Sequence, residues 1–214
     1  METLQEFINY ASANGNYIWT QFYRHFLMAI YGVLFASIIS IPLGILIAKY
    51  TKLSSWVLAV GSIIQTIPAF GAMAVIMLIM GLGTNTAIVT LVLYSILPIT
   101  QNTYVGMKSV DKTVVEAGHA SGMTKFQLLR MIELPLAVSV IMAGVRTALV
   151  LGIGIVAIGA FIGAGGLGAI IVTGTNATDG TPIILAGAIP AALMAIIADV
   201  ALGWTERLLQ PGKT

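Results

Sequence analysis

No cysteine occurs in this 214-residue chain, so disulfides and thiolate metal sites are excluded, and the redox compartment is left undetermined. Charge is scarce as well. Only 8% of the residues are Asp, Glu, Lys or Arg, against about 25% in an ordinary soluble domain. A chain so poor in polar side chains cannot face water all round. With 58% apolar residues and a mean hydropathy of +0.98, it reads as a polytopic, all-α membrane protein. The net charge of +2 is too small to point to nucleic acid. The start METLQEF is acidic and lacks the pattern of a cleaved signal peptide. The two histidines, His25 and His119, have no second ligand nearby in sequence, so no metal site is expected, and no nucleophile or carboxylate pair points to an enzyme.

Five apolar stretches are each long enough to cross a bilayer as helix, which takes about 20 residues. They are Phe26–Ala48, Trp56–Met80, Thr86–Tyr104, Leu136–Gly163 and Pro182–Trp204. Pro68 bisects the second and predicts a kink or a split there. Ahead of them, residues 1–25 carry Leu4, Phe7 and Ile8 at helical spacing and then Tyr17, Trp19, Phe22 and Tyr23, a pattern for an extracytoplasmic or interfacial segment. Residues 26–204 form one transmembrane domain, with a polar insertion at 105–135, and 205–214 a tail.

Basic residues set the orientation. With the N-terminus outside, the inner side receives Lys49, Lys52, Lys108, Lys112, Lys125, Arg130, Arg207 and Lys213, and the outer side only Arg24. Trp56 and Trp204 then fall at the inner interface.

The longest polar interlude is EAGHASGMTKFQLLRMIELP, from Glu116 to Pro135. Asp111 is a good N-cap for a helix over Lys112–Ser121, which Gly122 stops in a left-handed cap. Thr124 with Gln127 makes a capping box for a second helix. Phe126, Leu129 and, less regularly, Met131 and Ile132 give that helix an apolar side, and Pro135 is placed as a first-turn residue of the fourth span. The small residues Ala117, Gly118, Ala120 and Gly122 leave room for a partner to approach the backbone. From helical pattern alone, an ordinary amphipathic loop fits equally well.

The spacing of Glu116-Ala117, then Gly122, then Ile132-x-Leu134-Pro135 resembles the EAA signature of permease subunits in ATP-binding-cassette importers. The one departure is Gly118, where the family usually has Ala. The resemblance extends over about residues 20–205 and implies the type I importer (MetI-like) fold of about five spans. It implies that Glu116, Ala117, Gly118, Gly122, Ile132, Leu134 and Pro135 couple the chain to an ATPase. More narrowly, Ser62–Met107 looks like the permeases of bacterial osmoprotectant uptake systems, which carry glycine betaine, carnitine and choline. That likeness implies a bacterial cell-membrane complex of two permeases, identical or paralogous, two cytoplasmic ATPases and an external substrate-binding protein or lipoprotein. ATP and Mg would sit on the ATPase; this chain has no G-x-x-x-x-G-K-[ST] and needs no cofactor of its own.

Other residues stand out. Gly163-Ala-Gly165-Gly166-Leu-Gly168 satisfies G-x-G-x-x-G, but it ends a membrane span rather than a strand, so it reads as a tight external loop or part of an outer gate. Arg146 lies inside the fourth span and Asp199 inside the fifth. They are candidates for an ion pair; contact of Arg146 with a zwitterion's carboxylate, or snorkelling, are the alternatives. Gln65, Pro68, Phe70 and Tyr94 are candidates for a conducting path, because broken backbone in a membrane needs a protein or water-filled surround. Tyr31, Phe70, Tyr94 and Phe161 offer faces to a quaternary ammonium group, or simply pack. An ion-gradient-driven carrier or a scaffold without transport are the competing functions. A carrier would be expected to show internal repeats and buried acids near the midplane.

Overall fold

The computed structural model describes residues 2–210, so the expected inner-side Lys213 lies outside the described residues. Among these residues there are ten α-helices and no strand. They are α1 (Glu2–Ala13), α2 (Gly15–Lys49), α3 (Thr51–Thr66), α4 (Ala69–Met80), α5 (Thr84–Lys108), α6 (Lys112–Ala120), α7 (Lys125–Leu128), α8 (Leu134–Ile158), α9 (Leu167–Thr175) and α10 (Thr181–Leu208). Four continuous helices are long and apolar enough to cross a membrane: α2, α5, the run from α7 through α8, and α10. The α3–α4 pair, bent by 95°, makes a fifth crossing if counted as one.

The core is a three-helix packing of α2, α5 and α8, with α10 and α9 on one flank and α3 and α4 on the other. Apolar burial does not drive helices together in lipid, so close approach must, and small residues supply it. Leu91 of α5 is fully buried and plugs into Gly32 of α2 and Gly152 of α8; a Cβ at those glycines would lie 2.1 and 2.9 Å from its Cδ atoms. Gly44 sits likewise against Thr103, and Gly144 against the Pro98 carbonyl and Asn102. Buried hydroxyls on α5 bond within the helix, Thr90 to Thr86 O and Thr103 to Ile99 O, which lets a polar stripe sit inside an apolar bundle.

Several boundaries differ from the sequence expectation. α2 begins at Gly15, well ahead of Phe26, and its 35 residues make a rod of about 52 Å at 1.5 Å per residue, longer than a hydrocarbon core of about 30 Å. Its aromatic N-terminal part is therefore helix continuous with the first span. α1 folds back against α10, with Phe7 and Tyr10 packed on the core. The fourth span ends at Ile158 in a 3₁₀ turn, Gly159–Ile162, and a short extra helix, α9, fills the space before α10. α10 continues to Leu208, so the first residues of the expected tail are helical.

Candidate coupling and transport site

The elbow between α5 and α8 is built from local signals. Asp111 caps α6 by accepting from the Thr113 N–H at 2.8 Å, a bond that holds its carboxyl below the usual carboxylate range. At the other end Gly122 has φ +78°, its N–H bonds His119 O and the Met123 N–H bonds Gly118 O, the double bond pattern of a Schellman stop. Thr124 and Gln127 then exchange their capping-box bonds at the start of α7. The second elbow helix does not end before the membrane, as the sequence suggested. It passes through a π turn, Leu129–Glu133, straight into α8, with Leu134 N–H bonded to Leu129 O. Pro135 lacks an N–H and crowds the carbonyl four residues back, and the wider turn just before it takes up that misfit without a break.

Glu116 and Ala117 are exposed on α6, as are the apolar side chains of Val114 on the same helix and Phe126 on α7. Gly118 is buried under α7; a Cβ there would lie 2.6 Å from Leu128 Cδ1 and 2.8 Å from Ile132 Cδ1. The departure from the EAA pattern is thus where the two elbow helices touch. Leu134, with Leu129, packs on Ala48 of α2, Met107 of α5 and Ala137 and Ile141 of α8. The elbow has an outward face on α6 and an inward root in three spans.

At Pro68 the chain breaks between α3 and α4, and the freed backbone is braced from α5. The Tyr94 hydroxyl donates to Ile67 O, and the Gln65 side-chain amide donates to Tyr94 O at 3.1 Å. Two of the residues singled out in sequence, 29 apart, therefore hold the bend together. Phe70, just past it, meets Phe161 edge-on with ring centres 5.8 Å apart. Tyr31 is half exposed on α2, and the Tyr94 hydroxyl is committed to Ile67.

Arg146 and Asp199 form a two-pronged ion pair, Nε to Oδ1 at 2.6 Å and Nη2 to Oδ2 at 2.7 Å. Glu206, two turns further along α10, accepts from Nη1 at 3.3 Å. The guanidinium lies over Gly203, whose missing side chain makes room for it. The pair is not fully buried in the single chain: the Arg146 and Asp199 side chains are 35% and 43% exposed.

The sequence did not single out the residues that hold the glycine turn. Gly163, Gly165 and Gly166 all have positive φ, between +76° and +79°, and the turn lies against α2. Gln21 Oε1 accepts from Gly166 N–H at 2.7 Å. His25, fully buried, accepts from Leu167 N–H through Nδ1 at 3.2 Å and sits with Nε2 3.0 Å from Ile153 O. Arg24 donates to Thr84 Oγ1, which donates to Ala164 O. The available signal was the spacing of Gln21, Arg24, His25 and Met28, which places all four on one helix face. Among the described residues no three metal-ligating side chains come together.

The family described as binding-protein-dependent transport system inner membrane component matches residues 40–211. Over 213 residues the chain is 65% identical to the glycine betaine/carnitine/choline transport system permease protein OpuCD of Bacillus subtilis, covering 100% of this chain and 93% of that one. It is 62% identical to the carnitine transport permease protein OpuCD of Listeria monocytogenes, covering 100% and 96%. In fold it is similar to the inward-facing MetNI methionine ABC transporter, with a TM-score of 0.77 at 22% identity over 88% of this chain and 94% of that one. The helix–glycine–helix elbow and the apolar helical bundle behind it are thus found in a chain that belongs to the binding-protein-dependent transport system inner membrane components.

Proposed function

We propose that this chain is the membrane-spanning subunit of an ATP-driven importer for quaternary ammonium osmoprotectants: carnitine, glycine betaine or choline. The observation that carries it is the elbow. Its EAA-type residues present Glu116 and Ala117 outward on α6, while α7 runs without interruption into α8. The relatives' substrates supply the solute class. Two ATPases dock on the elbows of two permeases, identical or paralogous, and hydrolyse the Mg-ATP; an external binding protein delivers the solute. The basic residues around the elbow support an inner-side location, with the N-terminus outside and the C-terminus inside.

ATP binding draws the ATPases together and moves the elbows. Because α7 and α8 are one helix across the π turn, that motion enters α8 directly. The Arg146 clamp on Asp199 and Glu206 passes it on to α10, so the two spans move as a pair. The path lies near the braced break at Gln65–Phe70 and Tyr94, and access alternates as the spans tilt.

The test is uptake of radiolabelled carnitine, glycine betaine and choline into proteoliposomes holding the permease, its ATPase and binding protein. Accumulation should require internal ATP and survive collapse of ion gradients. Accumulation without ATP that an ionophore abolishes would instead make the chain an ion-gradient carrier.

A further inference from the structure

The glycine turn between α8 and α9 is held on every side, and the way it is held bears on whether it can open. The Leu167 N–H points at His25 Nδ1, so that nitrogen carries no proton, and the ring's one N–H, on Nε2, donates to Ile153 O. A single buried imidazole thus joins α2 to α8 and to the first residue of α9. One turn earlier on α2, the Gln21 amide oxygen takes the Gly166 N–H. The Arg24–Thr84–Ala164 relay adds the start of α5.

The packing is as tight as the bonding. Leu167 and Ala164 are fully buried. A Cβ on Gly168 would lie 2.1 Å from the Ala157 carbonyl oxygen, one on Gly187 of α10 2.8 Å from the Leu167 carbonyl, and one on Gly166 3.1 Å from His25. Swinging the turn away would break the bonds from Gly166 N–H to Gln21 and from Leu167 N–H to His25, leaving the buried Leu167 N–H and the imidazole Nδ1 unpaired. The neighbouring Phe70–Phe161 contact is of another kind: two ring edges that part without leaving any polar group unpaired.

We infer that the Gly163–Leu167 turn is a fixed anchor rather than a moving gate. It makes the ends of α2, α5, α8 and α9 one rigid body against which the α3–α4 break moves. Gln21, Arg24, His25 and Thr84 are positioning residues for transport, acting through the turn rather than on the solute. The inference rests on the transport reading above, so its test has one arm that needs the ATPase but no carried solute.

In the permease assembled with its ATPase in nanodiscs, amide hydrogen exchange at Gly166 and Leu167 should be equally slow in the nucleotide-free and vanadate-trapped states, within about two-fold. An increase of about ten-fold or more in either state would show that the turn opens, and would overturn the anchor whether or not solute is carried. In proteoliposomes, Gln21→Leu removes the acceptor and should lower solute carried per ATP at least about five-fold while hydrolysis continues. Gln21→Glu, which keeps an oxygen in place, should return that ratio to within about two-fold of the parent. A purely structural role would lower the yield of complex and leave the ratio unchanged. An unchanged ratio in Gln21→Leu with fast Gly166 exchange would overturn the positioning role. Absence of ATP-driven uptake by the parent chain would count against the transport reading, and the exchange arm would still decide the anchor.

Discussion

At the glycine turn the chain spends three left-handed residues, ends the helix locally through the Gly163–Ala160 and Ala164–Gly159 bonds, and then takes the remaining partners for its freed backbone from elsewhere: His25 from 142 residues away, Gln21 from 145, Thr84 from 80. At the elbow the chain turns just as sharply on Gly122 but closes its helix ends from within five residues, through Asp111, the Gly118–Met123 bond and the Thr124–Gln127 box. The difference comes from the surroundings. Gly166 and Leu167 are buried among neighbouring helices, where an unpaired backbone group has no water to turn to, so the turn must be locked into those neighbours. The elbow stands outside the bundle, keeps its own bonds wherever it goes, and can therefore be pushed as a unit. One end of the molecule is built to stay and the other to travel.

The largest break in that contrast should come from filling the packed turn. Gly168→Ala drives a methyl into the Ala157 carbonyl, a backbone atom with nowhere to go, and should abolish recovery of assembled complex from membranes. Gly154→Ala, with nothing within 4 Å of its new Cβ, should leave recovery unchanged. Equal recovery of the two would mean the turn has slack.

Next comes the ion cluster, the link that the mobile end uses to reach α10. Arg146→Ala leaves Asp199 and Glu206 without the cation they share, and both assembly and uptake should fall. Adding Asp199→Ala should restore assembly in part, while uptake stays low because α8 and α10 are no longer clamped. Normal assembly of the single variant, judged by co-purification with the ATPase, would remove the pair from the mechanism.

His25→Ala is expected to be smaller. It strands the Leu167 N–H and the Ile153 carbonyl, at about 1–3 kcal/mol for a buried group left unpaired, and should lower the melting temperature of the detergent-extracted complex by several degrees. His25→Asn, which retains one donor and one acceptor, should recover part of the loss.

The same contrast decides what the sequence could tell. The spans and the elbow were legible because each is written in neighbouring residues: apolar runs, and caps within three residues of what they cap. The Arg146–Asp199 pair was legible for a different reason, since charges are so rare inside these spans that few partners exist; Glu206 was missed because it sits at the end of α10 and reads as an interfacial residue. The bracing of the glycine turn was not legible. His25 and Gln21 gain meaning only when α8 and α9 arrive beside α2; their shared face with Arg24 and Met28 is written in the sequence, but the glycine turn it meets lies more than 140 residues on. The π turn was also missed, because Pro135 reads locally as the start of a helix, and only the continuity of α7 with α8 shows that the chain widened instead of breaking.

Gly118 gives the mildest and most discriminating prediction, because it is the one place where the elbow departs from the pattern it resembles. In an isolated helix Gly118→Ala would gain about 1 kcal/mol. Here the new methyl meets Leu128 Cδ1 and Ile132 Cδ1, the far ends of flexible side chains that can shift by rotamer changes. The two effects nearly cancel in stability, so the melting temperature should stay within a degree or two. What must change is the spacing between α6 and α7, and with it the angle at which Glu116 and Ala117 are offered relative to α8. If the elbow moves as a rigid unit, that small change of angle should appear as a loss of up to about two-fold in solute carried per ATP, with ATPase co-purification unaffected. A loss of co-purification would mean instead that Gly118 shapes the docking face itself. An unchanged ratio would mean that motion enters α8 through the π turn alone, without help from the α6–α7 contact.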